Sequence, residues 1–395
     1  MSLGRRLFAA AFLAGFGMLL ALGTVELGVR LLHLVPDRFW EPDALLGSKL
    51  IAGSAGWWTQ EEHEFLVPVQ INTQGRRDLE RPLEKVPGTE RILLLGDSFV
   101  EAMQVPIEAT FARGLEQHLT RPGDPPVEVM SMGVSGYGTA SQYLYYREHG
   151  RSFHPDVVLL SFYPGNDVRN NSPTLEPVFP PAYGADGELE RVTSGKAGDG
   201  GGRRGLLRSE AYAYFRKLLL TRQPVLAGQL ASWGVLKKDA LIAVPMQAGV
   251  PVDYWVYATQ PPAEWQAAWA HTEQLLTRLR DAVRADGAKL IVMVVTSREQ
   301  IYPADWQKLL ATYPDMQAVA WDVNGPERRV MDWCARSGVP CVQLSRAFLA
   351  ARDQSPRLHF LYDGHWTAAG HALAAQTMAD FLRAAGWPRV QYAEG

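Results

Sequence analysis

Cysteine is nearly absent: Cys334 and Cys341 are the only two in 395 residues. Neither their number nor their spacing makes a zinc site or a disulfide-dense scaffold, so the fold has to rest on a buried apolar core. The two can pair in an oxidising compartment, since a helix end and the start of the next strand come within bridging distance, or serve as two small buried hydrophobes. An excess of one charge is lacking as well. Lys plus Arg number 39 against 42 Asp plus Glu, a net charge of −3. This balance gives no electrostatic case for a polyanionic partner, and nucleic acid is not implied.

Long apolar runs are missing too, with one exception. Residues 7–25 carry no charge, and about 20 such residues as a helix cover the hydrocarbon layer of a bilayer. Arg5 and Arg6 precede them, and positive charge on that side favours a cytoplasmic N-terminus with the rest of the chain across the membrane. A cleaved signal peptide is the competing reading; the run is long for its apolar region, which favours an uncleaved anchor.

The length suits one sizeable α/β domain with insertions, or two domains. The expected division is a membrane anchor and flank at 1–35, a linker and edge segment at 36–86, the main domain at 87–385 with an insertion at about 170–261, and a tail at 386–395. Pro68 confines the short strand expected at 67–72 to a sheet edge.

Within the main domain, apolar runs bounded by glycine or turn residues predict buried strands at 91–96, 127–132, 156–162, 289–295 and 340–344. Helical spacing predicts helices at 109–119, 139–148, 263–285, 326–337 and 367–385. In the 263–285 helix, Trp265, Trp269, Leu276, Leu279 and Val283 form a stripe that faces the core. Alternation of strands and helices implies right-handed crossovers and a mostly parallel sheet. The segment from 170 to 261 loses this rhythm, apart from a helix expected near 210–220, and reads as an insertion over the site.

Polar groups gather where strands end, at Ser98, Gly136 and Asn166, and again at Asp363 and His365 just before the last helix. A serine hydroxyl is a weak nucleophile until a base takes its proton, and an imidazole in that role needs a carboxylate to orient it and to stabilise the imidazolium. His365 and Asp363 supply both for Ser98. The oxyanion of acyl transfer needs donors, and the backbone N–H of Ser98, the backbone N–H of Gly136 and the Asn166 side-chain amide fit that need.

These residues make the sequence similar to the SGNH (GDSL-type) hydrolase superfamily. Gly96-Asp97-Ser98 with Phe99 resembles its first block, Gly133 to Gly136 its second, Gly165-Asn166-Asp167 its third and Asp363-Gly364-His365 its last, in the expected order over roughly residues 87 to 385. The resemblance implies a flavodoxin-like three-layer α/β fold, Ser98 as nucleophile, His365 as base, Asp363 as its orienter, and Ser98, Gly136 and Asn166 as the oxyanion hole. It implies no metal and no cofactor. Many members separate the last acid and base by two residues, whereas here Gly364 alone intervenes. That shorter form, followed by Trp366 and then Gly370-His371, looks like the membrane-anchored bacterial branch, in which an Ile-Asn-x-x-Gly-x-Arg element precedes the nucleophile strand. Ile71-Asn72-Thr73-Gln74-Gly75-Arg76-Arg77 is similar to that element.

Other motifs carry less. Tyr137 stands where a G-x-S-x-G elbow would need its second glycine, so Ser135 is a poor nucleophile. Gly136-Tyr137-Gly138 lacks the third glycine of a dinucleotide loop, Ser141 taking its place. His371 is expected on the surface or in the core of the last helix, and Asp97 and Asp167 are expected to hold turns. The expected function is a membrane-anchored serine esterase, periplasmic or extracellular, acting on O-acyl groups, acetyl among them, of an envelope glycan or lipid. An O-acyltransferase with the same site is the alternative, and a non-catalytic glycan-binding or scaffold protein of the envelope is a third. Protein partners are not indicated.

Overall fold

The computed structural model describes residues 3–60, 62–172, 174–176, 182–183, 189–190, 209–223, 226–227, 229–230, 233, 246–354 and 356–387. Much of the 170–261 insertion, its glycine-rich run at 195–205 included, and residues 388–395 lie outside these. The chain divides into two compact units.

The first unit comprises residues 1–37, 57–66 and 201–243. Its helix α1, Leu3–Leu31, is long and apolar enough to cross a membrane. Leu7, Phe8, Phe12 and Leu19 stand exposed along it. Beyond the apolar stretch, the Glu26 carboxylate accepts hydrogen bonds from Ser209 Oγ and from the N–H groups of Glu210 and Ala211. These open a helix at Glu210–Arg222, whose first amides have no partner within their own helix and lie at the positive end of its dipole.

The second unit comprises residues 38–56, 67–200 and 244–395. Strands β1 (Glu90–Gly96), β2 (Val127–Gly133), β3 (Val157–Phe162), β4 (Lys289–Val294) and β5 (Cys341–Gln343) make a parallel sheet in the order β2-β1-β3-β4-β5. Between and after them run α2 (Phe111–Leu119), α3 (Thr139–Glu148), α4 (Ala263–Ala285), α5 (Gly325–Ser337) and α6 (Ala368–Ala384). Each agrees with the sequence expectation to within a few residues at its ends.

Side chains alternate across a strand, so each strand here serves two cores. Ile92, Leu94, Val129, Leu159 and Met293 pack with Phe111 and Leu115 of α2 and Ala375 and Met378 of α6. On the other side, Phe162 stacks on Trp269 of α4 with 6.5 Å between ring centroids. Helices on both faces explain why the strands read as continuous apolar runs. Ile92, Leu93, Leu94 and Leu95 have no exposed surface, and burial of each such side chain contributes about 1.5–3 kcal/mol.

Two features need the structure to settle them. Cys334 and Cys341 are joined in a disulfide with Cα atoms 6.2 Å apart, because Gly338 ends α5 in the left-handed conformation and turns the chain into β5. Most of residues 36–86, expected as a linker and edge segment, packs into the second unit. Trp40–Asp43 and Gly47–Leu50 pair as an antiparallel hairpin, and Ile71, Asn72, Arg76, Arg77 and Asp78 are buried. Their charged and amide side chains find partners that are distant in sequence, which local pattern does not reveal.

Candidate active site

The strand order turns at β1, with β2 on one side and β3 on the other. Chain segments leaving β1 and β3 therefore diverge, and such a switch point opens a crevice beyond the carboxyl ends of the strands. Ser98 stands there, first in the one-turn helix Ser98–Glu101, capped by Asp97, whose Oδ1 accepts from the Phe99 N–H at 2.9 Å. Where the chain leaves β3, the Tyr163 N–H donates to Asp167 Oδ2 at 2.7 Å, and Thr139 donates to Asp167 Oδ1 at 3.1 Å. Both aspartates hold turns. Burial raises the carboxyls of both, and the charge of Asp97 raises Asp167 further.

The last block reaches Ser98 through a short reverse turn. The Phe360 N–H donates to the His365 carbonyl at 2.8 Å, and Gly364 adopts a φ of +85°, which a side chain would resist. His365 Nε2 lies 2.7 Å from Ser98 Oγ, and His365 Nδ1 lies 2.6 Å from Asp363 Oδ1. The His365 N–H also donates to Asp363 Oδ1 at 3.2 Å, so the one-residue spacing lets a single carboxylate oxygen hold both backbone and ring. The imidazole rests against the Phe99 ring at 4.8 Å between centroids. Burial alone would lower the His365 imidazole, but the hydrogen bond and charge of Asp363, with the charges of Asp97 and Glu101, raise it above its ordinary value. Burial likewise opposes ionisation of Asp363, and the bonds from His365 and Gln104 with the charge of His365 bring its carboxyl below the usual range.

Asn166 lines the same cavity as Ser98, Asp363 and His365, which has a volume of about 270 Å³. One hydrogen of its amide goes to Asp97 Oδ2 at 2.8 Å, and the amide carries a second. Gly136 is not among the residues lining this cavity. It sits at φ +81° in the loop after β2, a loop joined to β1 by the Val134 N–H donating to the Gly96 carbonyl at 3.3 Å. The remaining walls include Asp253, Tyr254 and Tyr257 from the described end of the insertion, with Arg298 and Glu299 after β4.

Three residues here were not anticipated. Glu101 is buried, accepts from Trp40 Nε1 at 2.8 Å and from the Ser135 hydroxyl, and is pushed up to about 7 by loss of water. Its signal was an acid set in an otherwise apolar stretch, Phe99 to Met103. Gln104, which bonds Asp363, had no signal. Arg77 ends the Ile71–Arg77 element, whose resemblance assigns it no task. Its guanidinium donates to the carbonyls of Glu101 at 2.9 Å, Val105 at 2.6 Å and Ala102, and so braces the chain that leaves Ser98.

Ser135 is engaged with Glu101. His371 is buried, and its Nδ1 accepts from the Phe111 N–H at 3.2 Å, which docks α6 on the start of α2. Burial drives its imidazole down to about 3, so it stays neutral.

A serine, an imidazole and a carboxylate thus converge at the switch point of a three-layer sheet. Helices on both faces of a five-stranded parallel sheet make the three-layer α/β fold that the resemblance implied. Residues 250–394 match the family model described as the SGNH hydrolase-like domain of the acetyltransferase AlgX. Comparison with curated proteins gives no match. Among solved structures, the acetyl xylan esterase AlAXEase is similar at 13% identity, covering 74% of this chain and 99% of its own, with a TM-score of 0.39. TesA stands at 12% identity, 75% and 99% coverage and a TM-score of 0.38. A catalytic mutant of an acetylxylan esterase from Geobacillus stearothermophilus stands at 12% identity, 74% and 93% coverage and 0.36.

Proposed function

We propose that the chain is a membrane-anchored serine esterase that removes acyl groups, acetyl first among them, from a glycan or lipid of the cell envelope. The observation that carries this reading is the hydrogen-bonded chain from Ser98 through His365 to Asp363 at the mouth of a small polar cavity. His365 Nε2 takes the Ser98 proton as Oγ attacks the ester carbonyl, and the imidazolium that forms faces Asp363. The carbonyl oxygen gains negative charge, which the Asn166 amide and the backbone N–H of Ser98 stabilise, with the Gly136 N–H, outside the cavity lining, as the third donor that the resemblance implies. His365 then returns the proton to the departing alcohol, leaving an acyl group on Ser98. Water enters with the same base, and its attack releases the acid.

The cavity supports a short acyl group. At about 270 Å³ it falls just below the range of about 300–1,000 Å³ usual for small-molecule sites. Its charged and phenolic walls, Asp253, Tyr254, Arg298 and Glu299, suit a polyhydroxylated substrate. An anchor at α1 with Arg5 and Arg6 on its cytoplasmic side sends the site to the periplasm or cell exterior. The alternative is an O-acyltransferase, in which a sugar hydroxyl replaces water in the second step. The acetyltransferase named in the description of the matched family favours keeping it.

The test is covalent labelling of the full chain in detergent with a fluorophosphonate. Wild type should label and Ser98→Ala should not. Labelling that persists in Ser98→Ala would remove Ser98 as nucleophile. Acetyl release from candidate polysaccharides, with and without an acceptor glycan, then separates hydrolysis from transfer.

A further inference from the structure

Another cavity, of about 470 Å³, lies in the second unit under the Trp40–Leu50 hairpin. Its walls include Leu46, Met132, Tyr145 and Phe153 with Arg76, and the carboxylates of Glu41 and Asp43 line it as well; it shares no residue with the cavity at Ser98. Arg76 is 3% exposed, and its guanidinium lies over the Phe153 ring at 4.4 Å. One terminal nitrogen donates to Gln74 Oε1, while the buried Nε has no hydrogen-bond partner. Among the described residues no carboxylate comes within ion-pair distance of it. The acids that attract it from farther off, Asp78 and Glu80, are engaged elsewhere, Asp78 with Arg113 at 3.1 Å and Glu80 with the Thr73 N–H at 2.7 Å. The other cation on the rim, Lys49, already pairs with Glu41 and Asp43 at 3.7 and 3.5 Å.

A buried charge without a counter-charge within ion-pair distance costs free energy. The fork of a guanidinium matches two carboxylate oxygens in one plane, and the apolar walls beside it would take a ring-sized body. We infer that this cavity is a binding site for a small organic carboxylate, held through Arg76. The hairpin that roofs the cavity also bonds the loop beside the other site. Tyr137, next to Gly136, donates through its hydroxyl to the Ser48 carbonyl at 2.7 Å, and Trp40 donates to Glu101. An occupant would therefore rest on the element that steadies that loop.

Benzoate and its uncharged isostere benzamide, titrated by calorimetry into the full chain in detergent, test the assignment. Benzoate should bind saturably, and benzamide at least tenfold more weakly. Arg76→Gln should weaken benzoate at least tenfold. So should Ala52→Trp, which fills the cavity from its exposed rim and decides the matter if Arg76→Gln does not fold. Ser98→Ala and Arg298→Gln should bind benzoate as wild type does, which separates this site from the proposed esterase. Absence of saturable binding, equal binding of benzamide, unchanged affinity in Ala52→Trp, or loss in Arg298→Gln would each overturn the inference.

Discussion

Glu101 accepts the hydroxyl hydrogen of Ser135 and so ties the turn that begins at Ser98 to the loop that carries Gly136. The Trp40 indole holds its other oxygen. Loss of water raises this carboxyl to about 7 from an ordinary 4.5. A raised carboxyl holds its proton more tightly in the folded than in the unfolded state. Its contribution to stability is therefore complete below about pH 4.5 and is lost as the pH climbs through about 7. The change is on the order of 3 kcal/mol. Glu101→Gln keeps the shape and removes the titration, so thermal melts at about pH 5 and about pH 8 should show wild type losing stability that the variant keeps. Equal losses in the two proteins would contradict the role of Glu101.

His365 is raised above an ordinary imidazole chiefly by Asp363, against its burial. As the proposed base it would work only when neutral, so the acid limb of the kcat/KM profile should lie above the ordinary imidazole range. Asp363→Asn removes the carboxylate that raises it. The limb should move to lower pH, and kcat should fall by about 10³–10⁴-fold as the ring loses its orientation. Ester hydrolysis measured across pH checks both effects. A variant with an unmoved limb would assign the shift to Asp97 and Glu101 instead.

Arg77 is buried and spans three backbone carbonyls after Ser98. Arg77→Ala leaves the Glu101 and Val105 carbonyls without this donor, while the Ala102 carbonyl keeps the Val105 N–H, at a cost on the order of 3 kcal/mol. Lysine carries the charge without the planar fork, so Arg77→Lys should recover less than half of that loss. Urea unfolding of the three proteins gives the comparison. If Arg77→Lys matched wild type, charge alone would account for the residue.

The bond between Cys334 and Cys341 closes a short loop, with a sequence separation of 7. Closing a loop of that size constrains the unfolded chain by about 2–3 kcal/mol. The double variant Cys334→Ser/Cys341→Ser, and wild type in reductant, should melt at lower temperature by a similar amount. Neither cysteine lines the Ser98 cavity, so labelling by a fluorophosphonate below the melting range should be unchanged.

Period and composition made most of the sheet readable. The run from Ile92 to Leu95 needed no partner to be recognised as a covered strand, because both its faces are apolar. Ser98, His365 and Asp363 stood out for a similar reason: a glycine, Gly96 or Gly364, lies within two residues of each at an element's edge, where a polar group can be exposed. Glu101, Gln104 and Arg77 were not readable in this way. Their meaning depends on Ser135, Asp363 and the carbonyls after Ser98, contacts that no local spacing encodes. The hairpin from Trp40 to Leu50 escaped for the same reason, as its short strands are half-polar and gain their place from Tyr137 and Glu101.

The hydrogen bond between Ser98 and His365 spans 267 residues of sequence. Contacts of such separation form late, because the long loop must close before it is rewarded. A chain emerging from its N-terminus therefore carries the proposed nucleophile for most of its synthesis without the base that activates it. Reactivity would arrive with α6, when His371 seats on the Phe111 amide and brings the last turn down over Ser98.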